Sequence, residues 1–305
     1  MVLQTIKNKR SNLNGHTSCL LLFSLLFLMA CNPKGDSGKM KITGEISAEE
    51  IEKESVREIL YNLYQPEEMS RIFERAGANF SPDILASPDN LTAYSSPSEM
   101  AVALGIFGAD LFYARLFDQS LYVAKYLSSI QILSEKLGIP GNYYEGLFEE
   151  PGDWLTNRDS VTQYASEIYI KTDNYLKKTD KHSLAALIVM GSWVEAMYIA
   201  GSIYAENPTN MEIMDRIGEQ KYSLNPLISL MSNYQDDLRI TENILILKRI
   251  RRAFDKFEIY FSESDLKIDT TRKVISARDY TTSFTAENAR EIKNLIEDLR
   301  MRLVR

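Results

Sequence analysis

Apolar residues along this 305-residue chain recur mostly at helical spacing. In "SAEEIEKESVREILYNLY", Ile51, Val56, Ile59, Leu60 and Leu63 keep a helical period behind a Ser47–Glu50 capping box. "QPEEMSRIFERAGA" predicts a second helix, with Pro66 in its first turn and Gly77 as its stop. After the proline-punctuated connector "FSPDILASPDNLTAYSSP", the pattern predicts helices at 97–117, 119–137, 158–178, 182–206, 210–221, 223–234 and 237–257. Gly138 ends the second of these, Asn207-Pro208 closes the fourth, and Pro226 falls in the first turn of the sixth. "FEIYF" (Phe257–Phe261) and "TTRKVISA" (Thr270–Ala277) are aromatic and β-branched, with turn residues between them, and suggest a small hairpin. In the closing "TAENAREIKNLIEDLRMRLV", Ile292, Leu295, Ile296, Leu299 and Leu303 line one helix face. Arg300 and Arg302 lie near its C-terminus, where the helix dipole favours cations.

The expected fold class is therefore all-α: a multi-helical bundle or helical array, with a small C-terminal β-hairpin, as one domain over 47–305. A tetratricopeptide array is the alternative, but the helix pairs lack its constant period of roughly 34 residues.

Two helices depart from the amphipathic pattern. Between Met100 and Ala114 the only charge is Asp110, and between Ser183 and Ala205 it is Glu195. A helix that is apolar all round is a central one. On a helical wheel Asp110 shares its face with Ala103, Ile106, Phe107 and Tyr113, while Glu195 lies beside Gly191, Ser192, Tyr198 and Ser202. Gly105 and Gly108 each cost about 1 kcal/mol of helix propensity against Ala, so close approach of another backbone is the expected compensation. Both helices read Gly, then an acid, then Tyr three residues on: Gly105…Asp110…Tyr113 and Gly191…Glu195…Tyr198. Little else aligns, which favours coincidence over an internal repeat. The stretch 183–205 has the length of a membrane span. Its central Glu195 and two serines weigh against that, and the expectation is a core helix.

A buried carboxylate must be neutral, hydrogen-bonded or ion-paired. The ordinary reading gives Asp110 and Glu195 partners among tyrosine hydroxyls, serines or an arginine such as Arg115. A functional reading makes Asp110, Tyr113, Glu195 and Tyr198 the lining of a pocket for a small polar ligand, cationic or polyhydroxy. A catalytic reading makes the acids the paired carboxylates of a glycan hydrolase. The loop "IPGNYYEGLFEEPGDWLTN" adds Trp154 to the candidates, because aromatic faces among carboxylates suit sugar or cation recognition. The commoner role for such a loop is a long connection pinned by its aromatics.

Other chemistries are narrowed by what the chain lacks. Lys7, Lys9 and Arg10 precede the apolar run Ser18–Ala30, the pattern of a secretory signal peptide. The run ends in "LMAC", Leu28 to Cys31, which resembles the bacterial lipobox. That resemblance implies cleavage after Ala30 and acylation of Cys31, with residues 31–46 as lipidated cysteine and flexible tether. Removing residues 1–30 takes three Lys/Arg and no Asp/Glu, so the net charge moves from −7 to −10. An acidic chain without a dense basic stripe argues against nucleic acid as a partner. The densest basic cluster, Lys248, Arg249, Arg251 and Arg252, reads as a solvated helix face, with an anionic headgroup site as the lesser alternative. With Cys31 acylated there is no thiol left, and His182 is the one remaining histidine. This excludes Cys/His zinc sites and Cys–His nucleophile pairs, and no metal or cofactor is expected. His182 reads as a capping or surface residue.

"LGIFGADLFYARLFDQSLYVAKYLSSIQILSEKLGI", "GSWVEAMYIAG", "LNPLISLM" and "FTAENAREIKNLIEDLRMRLV" together resemble a group of helical envelope lipoproteins from Bacteroidota. The resemblance implies an envelope lipoprotein of the same all-helical build. Asn32 is not the aspartate that commonly signals inner-membrane retention, so anchoring by acyl chains on Cys31 is expected in the outer membrane, on its periplasmic face or at the cell surface. It brings no catalytic residues. The expected function is a non-enzymatic module that binds an envelope protein or a small polar ligand.

Overall fold

The central element is the helix His182–Glu206, whose residues from Leu184 to Val194 are all buried. The computed structural model describes residues 72–141 (except 74 and 76), 171–261 (except 173), 266–269, 274–277 and 280–304. These belong to a compact unit, Ile46–Arg305. The expected helix before Gly77 shows only its end, where Ile72 and Phe73 are helical and buried, and most of 158–178 lies outside the described residues.

In chain order the helices described end to end are α1 (Pro97–Leu116), α2 (Ser120–Lys136), α3 (His182–Glu206), α4 (Met211–Glu219), α5 (Lys221–Ser232), α6 (Leu238–Phe254) and α7 (Ala286–Leu303). Their ends follow from local chemistry. Ser96 and Glu99 form a capping box at the start of α1, and Thr285 and Asn288 form one at the start of α7. Asn210 and Asp237 cap α4 and α6 through their side chains. Gly138, at φ 82°, takes the left-handed conformation that ends α2, and Gly77 does the same upstream at φ 65°.

Pro226 differs from expectation. The helix begins at Lys221, so the proline is inside α5 and not in its first turn. It forfeits one backbone bond. Gln220 links α4 to α5 in helical conformation, and Ser223 beyond it is buried against Gln220 through its hydroxyl.

The most extensive contact is between α1 and α3. α3 also packs on α7, α4 and α5; α2 covers α1, and α6 lies against α5 and α7. One continuous core runs through all of them, from Ile72 to Leu299. The fold is all-α, as its pattern predicts. α3 is long and apolar enough to cross a membrane, yet 89% of its most apolar window is buried inside the protein. It is used here as a core helix.

The strand segments pair differently from the expected hairpin. β1 (Ile259–Phe261) pairs antiparallel with β4 (Tyr280–Thr282), and β2 (Leu266–Asp269) pairs antiparallel with β3 (Val274–Ala277). The two apolar segments that the pattern suggested do not pair with each other. Each takes a partner that is more polar and carried no strand signal of its own.

Gly105 and Gly191 set the α1–α3 separation. A Cβ on Gly105 would run into the Ile188 carbonyl and lie 2.7 Å from the Ser192 nitrogen. A Cβ on Gly191 would run into the Val102 carbonyl. Ser192 uses the closeness to donate its hydroxyl to the Gly105 carbonyl at 3.1 Å. Gly108 plays no such part: nothing lies within 4 Å of where its Cβ would be.

Candidate functional site

The close α1–α3 crossing brings the two acids together. Asp110 and Glu195 are both fully buried, and their side chains are within hydrogen-bonding reach of each other. Arg300 of α7 holds Glu195 in a fork, Nε to Oε2 and Nη2 to Oε1, each at 2.7 Å. The guanidinium lies over the Tyr198 ring, 3.9 Å from its centroid.

Asp110 has a different partner. Its Oδ2 accepts from the backbone N–H of Ala86 at 3.1 Å, while Oδ1 meets no N–H donor. Two ionised carboxylates cannot bond to one another, so the arrangement requires a proton between them. Desolvation, and then the charge of Glu195, push the Asp110 carboxyl well above its ordinary range, against the smaller pull of Arg300. Burial raises Glu195 too, while the Arg300 fork and the bond from Asp110 pull it down. The two titrate as a pair. The state that satisfies every group is neutral Asp110 donating to a Glu195 carboxylate that is paired with Arg300. Burial disfavours the charged guanidinium, but Glu195 more than compensates, and Arg300 stays protonated.

The rest of the network explains why an acid is needed. The connector before α1 has only two single-turn 3-10 helices, Pro82–Ile84 and Leu91–Ala93, so most of its buried amides and carbonyls have no helix or sheet to satisfy them. Ala86 is 1% exposed: its N–H goes to Asp110, and its carbonyl accepts from the Tyr126 hydroxyl at 2.7 Å. The Ile84 carbonyl accepts from Arg300 Nη2 at 3.0 Å, and that of Pro88 accepts from Ser129 Oγ at 2.9 Å. The cluster thus ties the connector to α1, α2, α3 and α7.

The sequence candidates sort accordingly. Asp110, Glu195 and Tyr198 meet in one place. Tyr113 does not join them: its hydroxyl accepts from the Ser81 N–H at 3.1 Å and donates to the Asn79 carbonyl at 3.3 Å. Arg115 is not a partner of either acid; it pairs with Asp118 at 2.6 Å. Trp154 and Cys31 lie outside the described residues. His182 opens α3, 41% exposed in its side chain, and its ring stacks on Tyr234. Arg300, Ala86 and Tyr126 were missed. Arg300 carried one signal, a cation at i+1 from Leu299 on the border of the apolar stripe of α7, but dipole complementarity explained it equally well.

The cluster is sealed, and its charges are internally balanced. A retaining glycosidase holds its two carboxyls about 5–5.5 Å apart and an inverting one about 6.5–9.5 Å apart, both open to substrate. Hydrogen-bonded, fully buried acids leave no room for a sugar. Among the described residues no group of three or more His, Cys, Asp or Glu side chains could hold a metal ion. Compared with protein-family models, curated proteins and solved structures, the chain matches none.

Proposed function

We propose that this protein is a lipid-anchored component of the bacterial cell envelope, acting as a non-enzymatic binding or interaction module. The observation that carries the anchoring is the N-terminal pattern: a basic start, a thirteen-residue apolar run and Leu28-Met29-Ala30-Cys31. Diacylglyceryl transfer to the Cys31 sulfur, followed by cleavage after Ala30, leaves at least two acyl chains on the new N-terminus. That is enough for stable attachment, where one chain holds only marginally. Asn32 is not the aspartate that commonly retains lipoproteins at the inner membrane, which favours the outer membrane.

What supports a non-enzymatic role is the use to which the acids are put. Asp110 and Glu195, the strongest catalytic candidates in the sequence, are consumed in holding the connector and α7 to the core. Their burial weighs against the glycan-hydrolase alternative.

Metabolic labelling with a clickable fatty acid tests the anchor. The wild-type chain should label and the Cys31→Ser chain should not; equal labelling of both would sink the proposal. Pull-down of the lipidated protein from its own membranes would then find the partner. Glycan hydrolysis by the wild type that Asp110→Asn abolished would establish the alternative.

A further inference from the structure

The outward face of α6 carries three cations that no carboxylate among the described residues pairs with. Ile240, Ile244, Leu247, Ile250 and Phe254 point into the core. Opposite them, at helical spacing, lie Leu238, Leu245, Lys248, Arg249 and Arg252, all exposed. Leu238 is 72% exposed and Leu245 63%, the most exposed pair of large apolar side chains on any one described helix. None of Lys248, Arg249 and Arg252 makes an ion pair or side-chain hydrogen bond among the described residues. On other elements Arg75, Lys125, Lys221, Lys256 and Lys293 each face a carboxylate across a salt bridge, as Arg239 does at the start of α6, in a chain with more acids than bases. Among the described residues of α6 and its C-cap, the acids are Glu242, one turn before Leu245, and Asp255, just past the helix end; neither pairs with the three cations.

From this juxtaposition we infer that the outer face of α6 docks on an anionic membrane surface, with Lys248, Arg249 and Arg252 on lipid phosphates and Leu238 and Leu245 set into the interface. The inference rests on the lipid anchor proposed above for its biological setting, since the anchor would hold the face close to a bilayer. The chemistry fits that occupant. Guanidinium and ammonium groups recognise phosphate oxygens. Their attraction to a charged leaflet acts within a Debye length, about 8 Å at physiological salt, so the acids on distant faces oppose it little. Exposed leucines beside cations on one helix are the composition of an interfacial helix. From Leu238 to Arg252 the face is about 21 Å long, enough for several headgroups. Nucleic acid fits less well, because Leu238 at one end of the face and Leu245 at its middle have nothing to contact on a phosphate backbone.

The test uses the chain from residue 31 onward with Cys31→Ser, so neither acyl chains nor the basic and apolar segment 1–30 contribute to vesicle binding. Binding is measured to vesicles of phosphatidylcholine with and without phosphatidylglycerol. The chain should prefer the anionic vesicles, and 0.5 M salt should remove the preference, roughly the concentration at which screening confines attraction to direct contact. Each cation near an anionic surface strengthens binding about fivefold, so Lys248→Gln, Arg249→Gln and Arg252→Gln together should weaken it about 100-fold. These positions are exposed, and circular dichroism should be unchanged. Leu238→Asn with Leu245→Asn should weaken binding several-fold while the anionic preference stays. Equal binding to both vesicle types, or a preference that survives the triple substitution, would overturn the inference. So would equally tight binding of a short DNA duplex with the same sensitivity to the three substitutions. Loss of fatty-acid labelling in the wild type would overturn the anchor alone and leave this result standing.

Discussion

Arg300 holds both carboxylate oxygens of Glu195 at 2.7 Å, across 105 residues of chain, and Glu195 has no exposed surface. The pair is reinforced from both sides: Tyr198 lies under the guanidinium, and the Asp110 side chain reaches the carboxylate. A buried ion pair gains little net stability, because desolvation offsets the attraction. What it does here is choose partners. α7 in this register places a guanidinium between Glu195 and the Ile84 carbonyl.

Removing one partner should therefore be far worse than removing both. Arg300→Met leaves the acids buried and uncompensated and should cost about 3–5 kcal/mol. For a domain of this size that lowers the melting temperature by roughly 6–20 °C. Glu195→Gln combined with Arg300→Met should recover a good part of the loss in urea unfolding. A double variant as unstable as the two singles added together would show that the pair is not the coupled unit described.

Asp110→Asn should be mild. The amide keeps an acceptor for the Ala86 N–H and a donor for Glu195, so it reproduces the protonated acid; the expected cost is within about 1 kcal/mol. Asp110→Leu removes both and strands the Ala86 amide, at about 1–3 kcal/mol. If thermal melts showed both variants unchanged or stabilised, the structural role of Asp110 would be wrong.

The same substitution isolates a pH effect. The folded Asp110 carboxyl lies well above its ordinary value of 3.8, chiefly through desolvation. Folding therefore binds a proton that the unfolded chain releases. Its contribution to stability is fully present below about pH 3.8 and is lost as pH rises through the folded value, at up to about 1.4 kcal/mol per unit. Unfolding free energies of wild type minus Asp110→Asn, measured between pH 4 and 8, should fall with pH. A flat difference would place the proton elsewhere.

Glu99 should behave in the opposite sense. Backbone N–H donation from Ser96, against some desolvation, and further bonds from Ser95 bring its carboxyl down from 4.5 to about 2. Its contribution is present above pH 4.5 and lost as pH falls toward 2. Glu99→Gln should cost about 1 kcal/mol at neutral pH, as capping substitutions do, and much less at pH 2, where the carboxyl is about half protonated. Denaturation curves at both pH values would decide it.

The glycines give an internal contrast. Gly105→Ala and Gly191→Ala drive a methyl group into a facing backbone carbonyl and should cost about 1–3 kcal/mol or more. Gly108→Ala meets open space inside the same helix and should gain up to about 1 kcal/mol. Equal effects on melting temperature at all three positions would mean that the helix crossing is not backbone-limited.

Helix positions were legible in the sequence because period, caps and glycine stops are local. Residues 182–206 appear as predicted, and α1, α2, α6 and α7 fall within a few residues of expectation. That α1 and α3 are central was also legible, since only a buried helix can be apolar all round. The approach of Gly105 was expected from its cost to the helix; the same argument applied to Gly108 failed, because propensity says nothing about which glycine faces a neighbour.

The coincidence of Gly105…Asp110 with Gly191…Glu195 became a real contact only in three dimensions. The two glycine–acid pairs, five and four residues apart, serve one interface: the glycines close the helices, and the acids meet beyond the crossing. The sequence alone determined that two carboxylates had to be neutralised somewhere in an apolar core. Tertiary structure decided how, by choosing the backbone amide of an irregular connector for Asp110 and an arginine of the last helix for Glu195. Neither partner could be read from periodicity. A buried amide in an irregular segment carries no sequence mark, and an arginine on the border of an apolar stripe looks the same whether it meets water or a buried acid.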